Sequence, residues 1–293
     1  MYKRVLILGG TGFLGYYVLR SLDKAGFDMA ILLHRKKDDL DIPFEGYTLL
    51  EGDVLNLKTI KSAISKFKPD VIIDMVGSLK TDPRKVFVEA TKNILKASQD
   101  GGVKKIIYIS DLAVNLNKKS AYLDARRDAE KEFKNYIFAW TIFRPSTIFG
   151  WRANFTNTIK KQIEGIFPVL IPADKYKLQP IAAENLADSI AIAAGQDIGN
   201  SQIYEAVGSE ILTPQEIVNR LKASLNSERK IFRVPFFVLK SFAFFKKIGF
   251  PNHISSSYIQ VFENRTSGSG EYLKKDFGLN EIKFDPAQEH SLY

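Results

Sequence analysis

Apolar runs alternating with helix-like stretches dominate the first half of the chain. Six runs rich in Val, Ile and Leu are predicted to be buried strands: RVLILGG, DMAILLHR, YTLLEGDV, DVIIDMVG, VKKIIYIS and AWTIFRPSTIFG. Between them, stretches such as GYYVLRSLDKAG and LKTIKSAISKFK repeat apolar residues with the helical period, and a long helix is predicted from about Tyr122 to Lys134. Strands that are apolar throughout and alternate with helices are typical of a parallel sheet covered on both faces. The predicted fold class is α/β, with a doubly wound parallel sheet and a small C-terminal lobe.

A glycine cluster stands where the first predicted strand meets the first helix, with the spacing Gly9-x-x-Gly12-x-x-Gly15. Gly9 would permit a tight turn, Gly12 would let the backbone approach a pyrophosphate, and Gly15 would let the helix pack on the strand. The start of the helix adds N–H groups and the positive end of its dipole. This pattern predicts a Rossmann-type dinucleotide site. Its predicted cofactor-binding residues are Gly9, Thr11, Gly12, Phe13, Leu14 and Gly15.

The end of the second predicted strand bears on the choice of dinucleotide. An NAD site typically places an acidic residue there to hold the ribose hydroxyls. This chain has His34 and Arg35, followed by two lysines. Cations suit a 2′-phosphate, so His34 and Arg35 are predicted cofactor-binding residues. NADP(H) is favoured, and NAD remains open.

The regular alternation breaks after Gly150. A short strand and a helix in KLQPIAAENLADSIAIAA are predicted to return to the sheet, and TPQE at Thr213–Glu216 is typical of a helix capping box. We therefore predict residues 1–150 as a dinucleotide-binding core. Residues 151–293 would supply returning elements of the same fold and a small lobe for a substrate or a partner.

The motifs GGTGFLG, EGDV, IIDMVGS, VKKIIYIS, FRPSTIFG and LQPIAAENLADSI occur in this order. Together they resemble the extended and atypical branch of the short-chain dehydrogenase/reductase superfamily, and most resemble relatives of the nucleotide-binding accessory subunit of respiratory complex I. The resemblance implies adenine contacts from Asp53 and Val54, a cofactor-lining loop at Val76 and Gly77, and a place near the nicotinamide for Arg144 and Pro145. It also implies that Trp151, Arg152, Asn154 and Phe155 face a substrate cleft. For Trp151 and Phe155, core packing is the open alternative.

The same resemblance implies a catalytic tyrosine and lysine four residues apart, with a nearby hydroxyl. Tyr122 fits the tyrosine, but the lysine position holds Arg126. Ser110 ends the fifth strand, one or two residues before the usual hydroxyl, where Asp111 stands instead. An aspartate there would repel negative charge developing on a substrate oxygen. Tyr122, Arg126 and Ser110 are therefore candidate catalytic residues in a machinery that departs from the family pattern.

Three functions follow from this combination. The first is an NADP(H)-binding atypical short-chain dehydrogenase/reductase-like protein, with Tyr122 as the proton donor of an oxidoreductase. The second is a non-catalytic nucleotide-binding subunit or sensor that docks on a membrane or a protein complex. The third is an NAD-dependent sugar-nucleotide epimerase or dehydratase, against which Arg35 argues. A small-molecule substrate cannot be named.

The segment PFFVLKSFAFFKKIGF at residues 235–250 carries six phenylalanines and three lysines. As a helix it could lie in a membrane interface, dock on a partner, or cover a substrate cleft. The 293-residue chain has a formal charge of +9, which suits an anionic partner, but it has no basic–aromatic motif typical of nucleic-acid binding. Cysteine is absent and there are three histidines, so no metal site is expected. Neither a signal peptide nor a membrane span is evident, which predicts a cytoplasmic protein with peripheral attachment to the inner face of a membrane left open.

Overall fold

The computed structural model describes residues 3–34, 46–77, 82–173, 177–247, 254, 258–259, 262 and 267–286. Its strands are β1 Arg4–Leu8, β2 Asp28–Leu33, β3 Thr48–Glu51, β4 Val71–Asp74, β5 Lys105–Ile109, β6 Ala139–Pro145, β7 Ile148–Phe149, β8 Val169–Pro172, β9 Ile181–Ala182, β10 Gln202–Ala206 and β11 Ile231–Val234. Its α-helices are α1 Phe13–Lys24, α2 Leu57–Phe67, α3 Ala90–Asp100, α4 Ala121–Glu132, α5 Asn154–Glu164, α6 Ala183–Gly195, α7 Pro214–Ser224, α8 Phe236–Lys247 and α9 Glu271–Phe277. A π-helical stretch, Arg84–Glu89, leads into α3, and a 3₁₀ turn, Leu112–Asn115, follows β5.

Seven parallel strands form the main sheet in the order β10-β6-β5-β4-β1-β2-β3. Helices flank the sheet, and β4 and β5 at its centre are buried along their whole length. The predicted α/β fold with a doubly wound parallel sheet is confirmed. Chain order reverses between β1 and β4, so the carboxyl ends of these two strands border the crevice where such sheets bind ligands.

The chain divides into two compact units. The first contains residues 1–145, 184–206 and 270–279, and so includes the whole seven-stranded sheet. The second contains residues 146–183, 207–269 and 280–293. The later segments of the first unit bring β10 and most of α6 to a sheet that the first 145 residues begin.

The sixth predicted strand is wrong in one respect: the structure divides it into two strands. The stretch AWTIFRPSTIFG was predicted to be one strand, but β6 ends at Pro145. The chain then forms β7, which pairs with β9 in a separate two-stranded sheet, with Ile148 opposite Ile181. The second unit also contains α5 and the parallel pair β8–β11, which the sequence analysis did not predict. Its own apolar core includes Ile159, Leu221 and Phe284.

Helix α7 begins as its sequence predicts. The Thr213 side chain accepts a hydrogen bond from the backbone N–H of Glu216, and the Glu216 carboxylate accepts one from the backbone N–H of Thr213. The predicted capping box is therefore present, with Pro214 in the first helical position. Across the described ranges, no helix combines the length and the apolarity needed to cross a membrane.

Candidate functional site

The glycine loop between β1 and α1 has no room for side chains at its ends. Gly9 has φ +80°, and a Cβ built on it would lie 2.8 Å from the carbonyl oxygen of Met75, which follows β4. A Cβ on Gly15 would overlap the carbonyl group of Gly10. Gly12 is exposed and precedes α1 without any side-chain cap. The loop thus leaves the first N–H groups of α1 uncovered, as the binding of a pyrophosphate requires.

Two predicted cofactor residues meet beside the ends of β2 and β3. The Nε2 atom of His34 lies 3.5 Å from a carboxylate oxygen of Asp53, and both side chains are substantially exposed. The other carboxylate oxygen of Asp53 accepts the backbone N–H of Leu55. Asn93, in α3, donates to the backbone carbonyl of Val54 at 3.1 Å. Arg35 lies outside the described residues, so the contacts of the predicted 2′-phosphate cation are not seen.

A buried carboxylate supports the loop after β4. Asp74 is 3% exposed, and its Oδ1 accepts the backbone N–H of Val76 at 3.0 Å. Burial raises the pKa of Asp74 to about 6, although that hydrogen bond and the charge of Arg126 each pull it down. Gly77, next along the loop, is exposed. Asp74 and Asn93 therefore hold the backbone of the two predicted cofactor-lining loops from beneath.

Tyr122 is bonded to a carboxylate. Its phenol donates to Oδ2 of Asp111 at 3.0 Å, while Oδ1 of Asp111 accepts the backbone N–H of Ala113. Burial raises the pKa of Tyr122 to about 12; Arg126 pulls it down and Asp111 pushes it up. Ser110 is 4% exposed, and its hydroxyl has no hydrogen-bond partner in the part of the chain that the structure describes. Ser110 is thus within the cluster, but Asp111 holds the tyrosine.

Arg126 is buried beneath this cluster. Its Nη1 donates to the phenol oxygen of Tyr108 at 3.0 Å and to the carbonyl oxygen of Ile109 at 2.6 Å. The guanidinium carbon lies 3.8 Å from the centre of the Phe87 ring, and that ring also packs edge-on against Tyr122. Burial alone lowers the pKa of Arg126, but Tyr108 and Tyr122 raise it, and the net shift is upward. The guanidinium is a permanent buried charge between the ends of β4 and β5.

Arg144, at the end of β6, is held by a polar network. It forms a two-pronged ion pair with Glu130, through distances of 3.0 and 2.5 Å, and donates to Asn115 at 2.7 Å. Asn115 in turn donates to Glu205 of β10. Pro145 follows Arg144 and is buried as the last residue of β6. The network ties α4, the turn after β5 and two strands together.

The residues proposed for a substrate cleft belong to the second unit. Phe155 is 7% exposed and packs against Phe284 in the core of that unit, which favours the packing alternative for it. The Arg152 guanidinium lies 5.3 Å from the centre of the Trp151 ring. Asn154 is exposed at the start of α5, where its side chain accepts the hydroxyl of Thr158.

Sequence reasoning missed Asp74, Phe87 and Asn93, and it judged Asp111 only as an obstacle. Asp74 had one available signal, because a lone acid that ends an apolar strand is rarely buried without a partner. Phe87 had none, since it lies within an ordinary amphipathic pattern. The π-helical stretch that carries it cannot be recognised from its composition.

Comparison with known proteins adds a family match. Residues 9–165 match the protein family described as NAD(P)H-binding. The chain is 27% identical over 258 residues to the mitochondrial NADH dehydrogenase (ubiquinone) 1 alpha subcomplex subunit 9 of Arabidopsis thaliana. That alignment covers 81% of this chain and 61% of the relative, so the chain spans about three fifths of the relative's length.

Two solved structures share the fold. An NADPH-dependent quinone oxidoreductase of Escherichia coli, complexed with NADPH, superposes with a TM-score of 0.78 at 17% identity, over 99% of this chain and 100% of that one. A UDP-glucose 4-epimerase of Thermus thermophilus, complexed with NAD, superposes with a TM-score of 0.66 at 17% identity, over 90% and 100% of the two chains. One neighbour therefore holds NADPH and the other NAD.

Proposed function

Because the chain belongs to the NAD(P)H-binding family, within the atypical branch of the short-chain dehydrogenase/reductases that its motifs predict, we propose that it binds NADP(H) and holds it as a nucleotide-binding subunit or sensor. The observation that carries this proposal is the hydrogen bond from Tyr122 to Asp111. In the family's usual chemistry a lysine lowers the tyrosine pKa, whereas here the phenol is bonded to a carboxylate.

The dinucleotide would lie across the carboxyl ends of β1 and β4. The N–H groups at Phe13, Leu14 and Gly15 would face its pyrophosphate, and the loop at Val76 and Gly77 would line its path. Asp53 and Val54 would contact the adenine. The nicotinamide, when bound, would be able to supply or accept a hydride.

The preference for NADP(H) is supported by the charge at the end of β2. His34 and Arg35 stand where an NAD-binding protein typically has an acid. A guanidinium binds phosphate with charge-assisted hydrogen bonds, so its loss is expected to cost about 1–3 kcal/mol of binding free energy.

Calorimetric titration with NADPH and NADH tests this preference. Wild type should bind NADPH more tightly, and Arg35→Glu should weaken NADPH by about ten- to one-hundredfold while changing NADH little. Lys66→Glu, the same charge change on the exposed face of α2, should leave both affinities unchanged. Equal affinities for the two nucleotides in wild type would reject the NADP(H) preference, and binding of neither would reject the site.

The buried guanidinium also separates this chain from the usual chemistry. A lysine in the family reaches the nicotinamide ribose, but Arg126 is 7% exposed and donates to Tyr108 and Ile109. Its charge offsets that of buried Asp74. Arg126 therefore stabilises the floor of the crevice.

A second candidate function is an oxidoreductase in which Tyr122 donates the proton. The Tyr122 phenol supports this oxidoreductase role, because its pKa of about 12 keeps the proton on the phenol at neutral pH. A substrate oxygen that gained charge near Ser110 could receive that proton, and Asp111 would have to release the phenol first.

Turnover experiments distinguish the two candidates. The subunit proposal predicts that bound NADPH is retained through purification and is not oxidised by a panel of carbonyl and quinone acceptors. NADPH oxidation that disappears in Tyr122→Phe, with nucleotide affinity unchanged, would replace the subunit proposal with the oxidoreductase.

A further inference from the structure

The second unit presents large apolar side chains to solvent around one group of elements. Among the described residues, Ile166, Phe167, Phe232 and Phe237 are 77%, 50%, 50% and 71% exposed. Ile166 and Phe167 lie just before β8, separated from it by Pro168, Phe232 lies in β11, and Phe237 lies in the first turn of α8. β8 and β11 pair in parallel, and α8 packs against β8. These four residues therefore belong to one β8–β11–α8 module.

Contacts within the module bring basic side chains beside the apolar ones. Arg229 Nη1 donates to the carbonyl oxygen of Ile166 at 3.0 Å, and the Lys230 carbonyl accepts from Val169. Phe232 aligns with half-buried Leu170 across the strand pair. On α8, the Lys240 ammonium lies 5.1 Å from the Phe236 ring. Basic side chains thus lie beside apolar ones in the module.

Between Glu228 and Glu263, a stretch that includes β11 and α8, the chain carries basic residues and no acidic ones. Glu228 is followed by 34 residues without an aspartate or glutamate, up to Glu263. Six lysines and arginines fall in that interval: Arg229, Lys230, Arg233, Lys240, Lys246 and Lys247. The whole chain has 33 acidic residues, so this interval is more basic than the rest of the chain.

We propose that the β8–β11–α8 module docks on the surface of an anionic lipid bilayer. Exposed Ile and Phe side chains would enter the boundary between headgroups and acyl chains, and the cations around them would meet anionic headgroups. The two features together favour lipid over a protein partner, because a bilayer offers apolar depth and a continuous negative surface at once. This proposal does not depend on nucleotide binding.

Sedimentation of the full chain with vesicles tests the proposal. One set is pure phosphatidylcholine, and the other contains about 30 mol% phosphatidylglycerol. We expect binding to the anionic set only, weakened when NaCl rises from about 0.1 to 0.5 M. Phe232→Ser/Phe237→Ser and Lys230→Gln/Lys240→Gln should each reduce the partition coefficient about tenfold or more.

Matched controls lie in the first unit. Ile137→Ser removes a side chain that is 98% exposed, and Lys66→Gln/Lys96→Gln removes two exposed charges. Both should bind vesicles like wild type, and all variants should keep the far-UV circular dichroism spectrum and the urea midpoint of wild type, which shows that they are folded. Wild type that stays in the supernatant with anionic vesicles, or module variants that bind like the controls, would overturn the proposal and leave the face to a protein partner.

Discussion

At the scale of single residues, burial and the pairing with Asp111 together keep the Tyr122 phenol protonated. A carboxylate that accepts from a phenol favours the neutral phenol, and so adds to the upward shift that burial produces. The charge of Arg126 opposes this shift, while its Nη1 donates to Tyr108 and Ile109. The chain therefore has a tyrosine at the family's position that burial and Asp111 keep protonated, against the opposing charge of Arg126.

Replacing Asp111 by asparagine should lower the pKa of the Tyr122 phenol. The substitution keeps the size of the side chain and removes the negative charge, while burial and Arg126 remain. Alkaline titration at 295 nm, with Tyr122→Phe subtracted to isolate the one phenol, measures the shift. A Tyr122 titration that is unchanged in Asp111→Asn would show that the carboxylate does not act on the phenol.

The buried carboxyl of Asp74 makes the free energy of unfolding depend on pH. Its folded pKa of about 6 lies above the ordinary 3.8, so the native state takes up this proton more readily than the unfolded chain. The stability linked to that proton is complete below pH 4 and is lost as pH rises through about 6. The difference between a pKa of about 6 and the ordinary 3.8 corresponds to about 3 kcal/mol of stability.

We expect Asp74→Asn to abolish this loss. Between pH 4 and pH 6.5, the free energy of unfolding of wild type should fall relative to that of the variant by about 2–3 kcal/mol. Urea denaturation at several pH values measures the difference. Parallel pH profiles for the two proteins would contradict a raised pKa for Asp74.

At the scale of elements, the β1–α1 connection is held close against the loop after β4. Gly9 combines a positive φ with contact against Met75, whereas Gly26, after α1, has φ +74° and no atom within 4 Å of the place that a Cβ would take. The two glycines therefore separate the cost of backbone strain from the cost of overlap.

Gly26→Ala should cost about 1 kcal/mol of unfolding free energy, because only the left-handed backbone is penalised. Gly9→Ala should cost about 2–4 kcal/mol, because the loop must also move away from β4. Urea denaturation of both variants supplies the comparison, and NADPH affinity should fall in Gly9→Ala alone. Equal losses of stability would mean that the loop yields freely.

How far the sequence predicts these elements depends on their burial. The six strands of the first half have apolar runs, and five of them were placed without correction. Four of these five are almost wholly buried, whereas β3 is a half-buried edge strand whose run TLLE still carries the pattern. β11 was missed, since Phe232 and Arg233 are exposed and its four residues carry no clear alternation. β7 was merged with β6 because apolar Ile148 and Phe149 continue the pattern, although they pair in another sheet.

The candidate site could be predicted where the backbone geometry requires glycine. It could not be predicted where it depends on contacts between side chains that are distant in sequence. Glycine spacing identified the loop, but no pattern indicates that Tyr122 bonds to Asp111 or that Phe87 lies under Arg126. Lys105 is a further example: this residue of β5 is fully buried, with its ammonium on the carbonyls of Gln196 and Ile198. Partners 91 and 93 positions away cannot be read from spacing.

At the scale of the whole molecule, the two units can be followed separately. The chain has two tryptophans, Trp140 in the first unit and Trp151 in the second. Trp151→Phe leaves a fluorescence signal from the first unit, and Trp140→Phe leaves one from the second. The proposed nucleotide site lies wholly in the first.

NADPH should therefore raise the stability of the unit that Trp140 reports. At about one hundred times its dissociation constant, a ligand that binds only the native state adds about 2.7 kcal/mol. Urea denaturation of Trp151→Phe, with and without NADPH, should show the higher midpoint. An unchanged midpoint at saturating NADPH would place the ligand elsewhere.

The three-segment composition of the first unit has a consequence for the newborn chain. When residue 145 leaves the ribosome, β6 is an unpaired edge, because β10 is about 60 residues away and α9 about 130. At about 5–20 residues per second, the edge waits several seconds for β10. It waits longer for α9, whose Asp276 accepts the phenol of Tyr204. During that interval the exposed strand is open to chaperones or to a neighbouring nascent chain.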